Sequence, residues 1–421
     1  MAYVKISNLN FAQPLTGNEL LPVVQNGTSY KVSVSAVGGT GDTENINGCN
    51  NTINAGTIYS SIVGGFNNAL SGNCSGILGG NGNIVDGVGS IVVGGQNNTA
   101  CGNCSFVGGG CGNYVHLSGG TISGGRGNTL SSAYGFIGSG INHVIKSGKI
   151  GQFMGGDLIS PSIIVGGRCN KIYSPDSFIG NGSVNLICGS GTSNNIGKGY
   201  LNFITNGSGN FIVGGSLNTI CGNGAYLNSS FNNFIGTGTA NKIIGCGNNA
   251  SVYNAILAGR DNEIGPETDP GGGEKIINSV IAGGRFNKIK SFGSTTTGFI
   301  GGGNGNSLSG TGFIGNTLSS CLSGINNGII AGFGINIYGC QGFIGSGFCN
   351  TICADYSSII TGCCNTNTHG NSHVIGSNIT TVSGDMLHAQ TLYLSAAALP
   401  TIDPGVPGVV WRDGTNLKIS V

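Results

Sequence analysis

Charge is scarce in this chain: only 7% of its 421 residues are Asp, Glu, Lys or Arg, and 16 basic against 15 acidic groups leave a formal +1 at pH 7. No run of Lys and Arg exists that could neutralise a row of phosphates, which argues against nucleic acid as a partner. So little charge also excludes a charged coiled coil or an ordinary helical domain. There is one tryptophan. No apolar stretch reaches the ~18 residues of a membrane span, so no membrane insertion is expected, and the first residues lack the basic and apolar regions of a secretory signal. What the chain has is glycine, 84 residues of it, and 38% hydrophobic residues at regular intervals. That regularity separates it from a disordered Gly-rich tract.

A fixed period decides the architecture. From Gly72 the chain reads Gly-Asn-Cys-Ser-Gly-Ile-Leu-Gly-Gly-Asn-Gly-Asn, and from Gly102 Gly-Asn-Cys-Ser-Phe-Val-Gly-Gly-Gly-Cys-Gly-Asn. The closing asparagines Asn68, Asn83, Asn98, Asn113 and Asn128 are spaced by 15, and the register survives with drift from Asn170 to Asn365. A unit this short, with a helix breaker every few residues, must be a strand, a turn and a second short strand. The expected fold is all-β: a Gly/Asn-rich parallel β-solenoid of about 15 residues per coil. About 23 coils stacked ~4.8 Å apart would make a rod on the order of 110 Å long. Residues 44–385 form the shaft, 1–43 an N-terminal attachment module and 386–421 a C-terminal capping segment.

Apolar doublets precede most Gly-Gly pairs, among them Ile62-Val63, Ile77-Leu78 and Phe299-Ile300, and the doublets Phe136-Ile137 and Phe343-Ile344 stand likewise before Gly-Ser. Neighbours in a strand point to opposite faces, so one member fills the coil and the other paints an apolar stripe along the rod. Stripes of that size are interfaces, and a homo-oligomer follows, most simply three chains about a threefold axis. A monomeric solenoid wide enough to bury both members is the alternative. The pairs Gly64-Gly65, Gly79-Gly80 and Gly94-Gly95 permit positive φ at a tight corner and close approach of backbones. The asparagine after each corner tolerates the left-handed region and, stacked coil on coil, can form an amide ladder. These residues read as structural.

Fifteen cysteines are an odd number, and they read as small buried hydrophobes of a chain folded in a reducing compartment. Cys101 and Cys104 have half-site spacing but no second pair accompanies them. Asp261, Glu263, Glu267, Asp269 and Glu274 form the one acidic cluster, mostly in a Pro/Gly-rich interruption that reads as a solvated loop; paired carboxylates there are the one route to polysaccharide cleavage. His369 and His373 share a strand face ~13 Å apart, so only a threefold axis could gather either one around a metal. No catalytic group and no cofactor are expected. Interruptions at 146–162, 265–279 and 290–298 are candidate contact loops, with Tyr173 and Phe292 as aromatics for glycan stacking.

At the N-terminus, Leu20 to Gln25 and Ser29 to Val34 flank Asn26-Gly27, a hairpin signal. The wording around it, Leu15-Thr-Gly-Asn-Glu-Leu-Leu-Pro-Val-Val-Gln-Asn-Gly, resembles a short module of bacteriophage tail fibres. At the other end Val409 to Trp411 and Leu417 to Ser420 flank Asp413-Gly414, with Trp411 as the anchor of the cap, and Leu399 to Ser420 resembles a tag of phage structural proteins. The units Ser61-Ile-Val-Gly64, Ser75-Gly-Ile-Leu-Gly79, Ser90-Ile-Val-Val-Gly94 and Ser105-Phe-Val-Gly108 are similar to the head repeats of trimeric autotransporter adhesins, though Asn and Gly-Gly are heavier here and no coiled-coil stalk or membrane anchor accompanies them. The resemblance implies a left-handed β-roll in a homotrimer. Together these features imply a virion fibre, made in the host cytoplasm without a signal peptide, that attaches to other virion proteins through residues 1–43 and meets a host surface receptor, a glycan among the options. A self-assembling extracellular filament is the second reading and a polysaccharide-degrading tailspike the third.

Overall fold

A computed structural model describes residues 20–25, 28–33, 43–45, 48–146, 161–189, 191–222, 230–244, 251–265, 276, 278–290, 297–391, 399–407, 409–413 and 416–420. Among them every regular element is a strand and there is no helix. Coils of about 15 residues stack as a parallel β-solenoid of about 19 turns, fewer than the 23 that an uninterrupted count gives. The difference is chain spent between coils: Asn170 follows its ladder neighbour His143 by 27 residues, and Ser279 follows Asn254 by 25. Two units, residues 1–252 and 253–421, divide the chain.

Unit 1 starts with an antiparallel hairpin, Leu20–Gln25 against Thr28–Ser33, across the expected Asn26-Gly27. The parallel ladder opens where Thr43–Asn45 pairs with Ser60–Ile62. Each coil then contributes two strands of two or three residues, and alternation sends one residue inward and its neighbours outward. On the leading strand the inward column runs Ile62, Ile77, Val92, Val107, Ile122, Ile137. On the second strand it runs Leu70, Val85, Ala100, Val115, Leu130, Ile145. All of these are 0–1% exposed.

Two aliphatic side chains per coil make a thin core, and polar ladders complete it. Asn98 Nδ2 donates to the carbonyls of Gly94 (2.9 Å) and Gly110 (3.0 Å), one in its own coil and one in the next, while its Oδ1 accepts the amide of Asn113 at 3.0 Å. Every polar atom of the buried amide is thus satisfied, as a 0% exposed group requires. The amide ladder is therefore present, but the closing asparagines are not the left-handed residues. That conformation belongs to the position before them, Asn67, Asn97 and Cys169, because the inward amide needs ordinary strand geometry to reach both coils. A second ladder uses hydroxyls: Ser75 Oγ donates to Gly87 O at 2.7 Å and accepts the amide of Ser90 at 3.0 Å.

In the pairs Gly79-Gly80 and Gly94-Gly95 the second member carries the constraint. Gly80 has φ +94, and a Cβ there would stand 2.2 Å from Gly95 O in the next coil; at Gly79 and Gly94 nothing lies within 4 Å. One rung of the amide ladder is a histidine. His143 is 0% exposed; its amide donates to Asn128 Oδ1 at 2.9 Å and its Nδ1 accepts the amide of Asn170 at 3.1 Å.

In unit 2 the leading column is Ile256, Ile281, Ile300, Ile314, Ile329, Ile344, Ile359 and Val374. Here Gly298–Asn304, Ser307–Leu318 and Cys321–Phe333 run through a corner as continuous strands, with a register shift between Thr311 and Gly312. Asn287 and Asn306 continue the amide ladder, Ser320 and then Ile335 take its place, and Asn350 with Asn365 resumes it. The unit ends in an antiparallel hairpin, Val410–Asp413 with Asn416–Ile419. Trp411 lies half-buried on it, opposite Lys418, whose Nζ stands 5.3 Å from the ring centroid.

Candidate functional site

With the interior filled, function falls to the outer faces. The five expected doublets split as strand alternation demands. Ile62, Ile77, Ile137, Ile300 and Ile344 are core residues at 0% exposure, whereas Val63, Leu78, Phe299 and Phe343 are exposed and Phe136 is half-exposed. The outward members flank the core residue on either side, so within each unit the leading-strand face carries two adjacent columns. Its apolar groups include Val63, Leu78, Ile91, Val93, Phe106, Phe136 and Val165 in unit 1 and Leu257, Phe299, Phe313, Ile330, Phe343 and Ile360 in unit 2.

Sequence reasoning missed how this face is levelled. Where the first outward position is Phe, the second is usually glycine: Phe106/Gly108, Phe136/Gly138, Phe178/Gly180, Phe299/Gly301, Phe343/Gly345. The Phe Cε1 lies 3.3–3.7 Å from where a Cβ on that glycine would stand, so the ring lies flat across it. Many coils without Phe place Val, Leu or Ile at the second position instead, as at Val63, Leu78 and Ile330, while Thr121 and Asn195 are followed there by Ser123 and Gly197. Rings on adjacent coils also stack, Phe299 on Phe313 at 5.3 Å and 2°, Phe211 on Phe234 at 5.9 Å and 11°. The signal was legible as a Phe-x-Gly alternation, but only the register shows that both residues share one face.

The second-strand face is more polar, with Thr52, Thr99 and Thr129 in one outward column and Ser71, Asp86, Cys101, His116 and Ser131 in the next. Cys101 Sγ lies 3.6 Å from Asp86 Oδ2, and Tyr114 Oη lies 3.2 Å from His116 Nδ1. Burial pushes the Cys101 thiol up, and the hydrogen bond to Cys101 pushes up the Tyr114 hydroxyl. Burial likewise raises Cys188. Raised thiols carry little thiolate and make poor nucleophiles at neutral pH. Contrary to expectation, no described cysteine is buried; all are free thiols on the outer surface or partly exposed. The reason is positional: inward places go to Ile, Val, Leu, Asn and Ser, leaving thiols to turns such as Cys74 and Cys104, with φ +53, and to outward strand positions.

The expected acidic cluster is dispersed where it is described. Asp261 pairs with Arg260 at 3.1 Å and Glu263 with Lys288 at 3.6 Å, all exposed or partly so; Glu267, Asp269 and Glu274 lie outside the described residues, as do Phe292 and most of the three interruptions. His369 Nδ1 sits 3.1 Å from Thr381 Oγ1 and His373 Nδ1 2.8 Å from Ser358 Oγ. Among the described residues of the chain no three His, Cys, Asp or Glu side chains converge to hold a metal. Tyr173 is half-buried on the second-strand face beside Lys171. A shallow open depression in unit 1 is lined by Asn181, Lys198, Tyr200 and Ser216. No protein-family model matches the chain, and no curated protein is significantly similar to it.

Proposed function

We propose that this protein is a structural fibre, a homo-oligomer built on the leading-strand face, whose work is reach and multivalent adhesion to a host surface. The observation that carries the reading is the levelled apolar face. A single chain in water would leave Val63, Leu78, Phe299, Phe343 and their column neighbours exposed, and patches of that extent on soluble proteins mark contact surfaces. The face is uncharged and flat, so a second copy of itself is a complementary partner without counter-charges. Three chains about a common axis would bury every such face at once. Several weak contacts on one particle then combine into avidity. The resemblance of the two ends to phage modules supports a virion setting, with residues 1–43 as the attachment to other virion proteins. The mechanism needs no bond-making group and no cofactor.

Light scattering of the purified, unheated protein tests the oligomer. A species near three times 42.0 kDa supports the fibre, and the double variant Val63→Asp with Leu78→Asp should shift mass toward the monomer while leaving the far-ultraviolet β signal intact. A 42.0 kDa wild-type monomer would sink the reading. Open-ended filaments in negative stain would favour the self-assembling polymer, a reading that the unpaired edges of a solenoid's terminal coils also support.

A further inference from the structure

Charge is sparse in the whole chain but not evenly spread. Between residues 87 and 252 seven Lys and Arg meet only two acidic residues. The described members, Arg126, Lys146, Arg168, Lys171, Lys198 and Lys242, are all exposed, and the ion pairs between described side chains lie elsewhere, in unit 2. Several of these cations share one edge. The residues bridging successive coils at one corner run Arg126, Ile141, Arg168, Ser183, Tyr200, Ser216. With coils ~4.8 Å apart, Arg126, Arg168 and Tyr200 recur at every second coil, roughly 10 Å from one to the next. Lys198 and Asn181 line the depression that Tyr200 borders, and Lys171 projects outward three residues beyond Arg168.

We propose that this edge of unit 1, from Arg126 to Tyr200, is a docking strip for a linear anionic polysaccharide. The pattern fits that chemistry in three respects. Its cations are spaced rather than crowded, as carboxylates are when they recur along a chain of sugar rings. Between them stand hydrogen-bonding side chains, Asn181 above all, suited to sugar hydroxyls. Tyr200 is 52% exposed and offers a ring face on which a pyranose can lie. Duplex nucleic acid fits worse: it brings one phosphate charge per ~1.7 Å of axis, which would outnumber these cations several-fold. The solenoid backbone holds the groups in place beforehand, so little is lost in ordering them on binding. The inference deepens the adhesion reading above and rests on it for its setting, since an oligomer would present one strip per chain.

The test uses the full-length protein on immobilised polygalacturonate, neutral dextran and duplex DNA of matched charge concentration. Wild type should bind polygalacturonate, weaken as salt rises, and ignore dextran. The variant R126Q/R168Q/K171Q/K198Q should bind at least ~10-fold more weakly, since each exposed ion contact contributes up to a factor of roughly five. R126K/R168K should retain most of the binding, which separates lost charge from lost structure. Tyr200→Ala should weaken binding several-fold without altering its salt dependence. Failure of wild type to bind polygalacturonate, equal binding by the quadruple variant, or tighter binding to the DNA would each overturn the proposal. Light scattering of the same samples separates the two readings: an intact oligomer that ignores the polysaccharide defeats this inference alone, and a monomer that binds it defeats the fibre alone.

Discussion

Acidification should open unit 1 at one rung. His143 occupies an asparagine position of the amide ladder, wholly buried, and Nδ1 accepts the Asn170 amide at 3.1 Å. An accepting Nδ1 must be unprotonated, so the ring is neutral with its proton on Nε2, which points among carbonyls without a hydrogen bond of good geometry. Burial pushes its pKa below the ordinary histidine value of about 6.5. The folded state therefore holds fewer protons than the unfolded one between the two values. Stability from this site is complete above about pH 6.5 and falls as pH drops toward the lower folded value. Once Nδ1 is protonated, a donor faces a donor and the Asn170 amide loses its acceptor inside the core. An unsatisfied buried group costs about 1–3 kcal/mol, equivalent to a 5- to 150-fold loss of protection at about 25 °C. In a stacked array the loss stays local, so the assay is hydrogen exchange at the amides of 143–146 and 170–172, corrected for intrinsic rates, from pH 7.5 to 5. His143→Asn restores the ladder and should flatten the profile. A wild-type profile that is already flat, or a variant that keeps the same step, would refute this role of His143.

Two further substitutions test the packing logic. Gly80→Ala puts a methyl 2.2 Å from Gly95 O at φ +94 and should destabilise by about 2–5 kcal/mol, while Gly79→Ala, with nothing within 4 Å, should stay within about 0.5 kcal/mol; urea unfolding of the pair decides it, and equal effects would count against the close-approach account. Asn98→Leu removes the Asn98 partner of Gly94 O and of the Asn113 amide and leaves Gly110 O with the Gln96 amide alone; it should cost about 2–5 kcal/mol, read as a lower urea midpoint and faster exchange at residues 94–113, and an unchanged midpoint would show that the ladder is ornamental to stability.

The coil is written in the chain's period. A 15-residue period, apolar residues at a fixed phase and an asparagine closing each unit are local, additive signals, and a solenoid is a fold in which each unit meets only its neighbours. The hairpins were legible for the same reason, since Asn26-Gly27 acts through short-range turn chemistry; at the C-terminus the pairing runs one residue past the expected Asp413-Gly414 turn, because Asp413 itself pairs with Asn416. Which member of each pair faces in depends on the pairing between coils. A doublet such as Ile62-Val63 looks alike from either side; only the register, Ile62 onto Ile77, sends the isoleucine inward and leaves Val63 on the surface. Register likewise put Asn97, not Asn98, in the left-handed turn, kept thiols out of the core, and made Phe and Gly two residues apart into one level face. The edge joining Arg126, Arg168 and Tyr200 was also invisible in the chain, because residues 42 and 32 positions apart meet only when interrupted coils stack back into alignment. Period is a property of the chain, whereas phase and face depend on which backbone groups pair across coils.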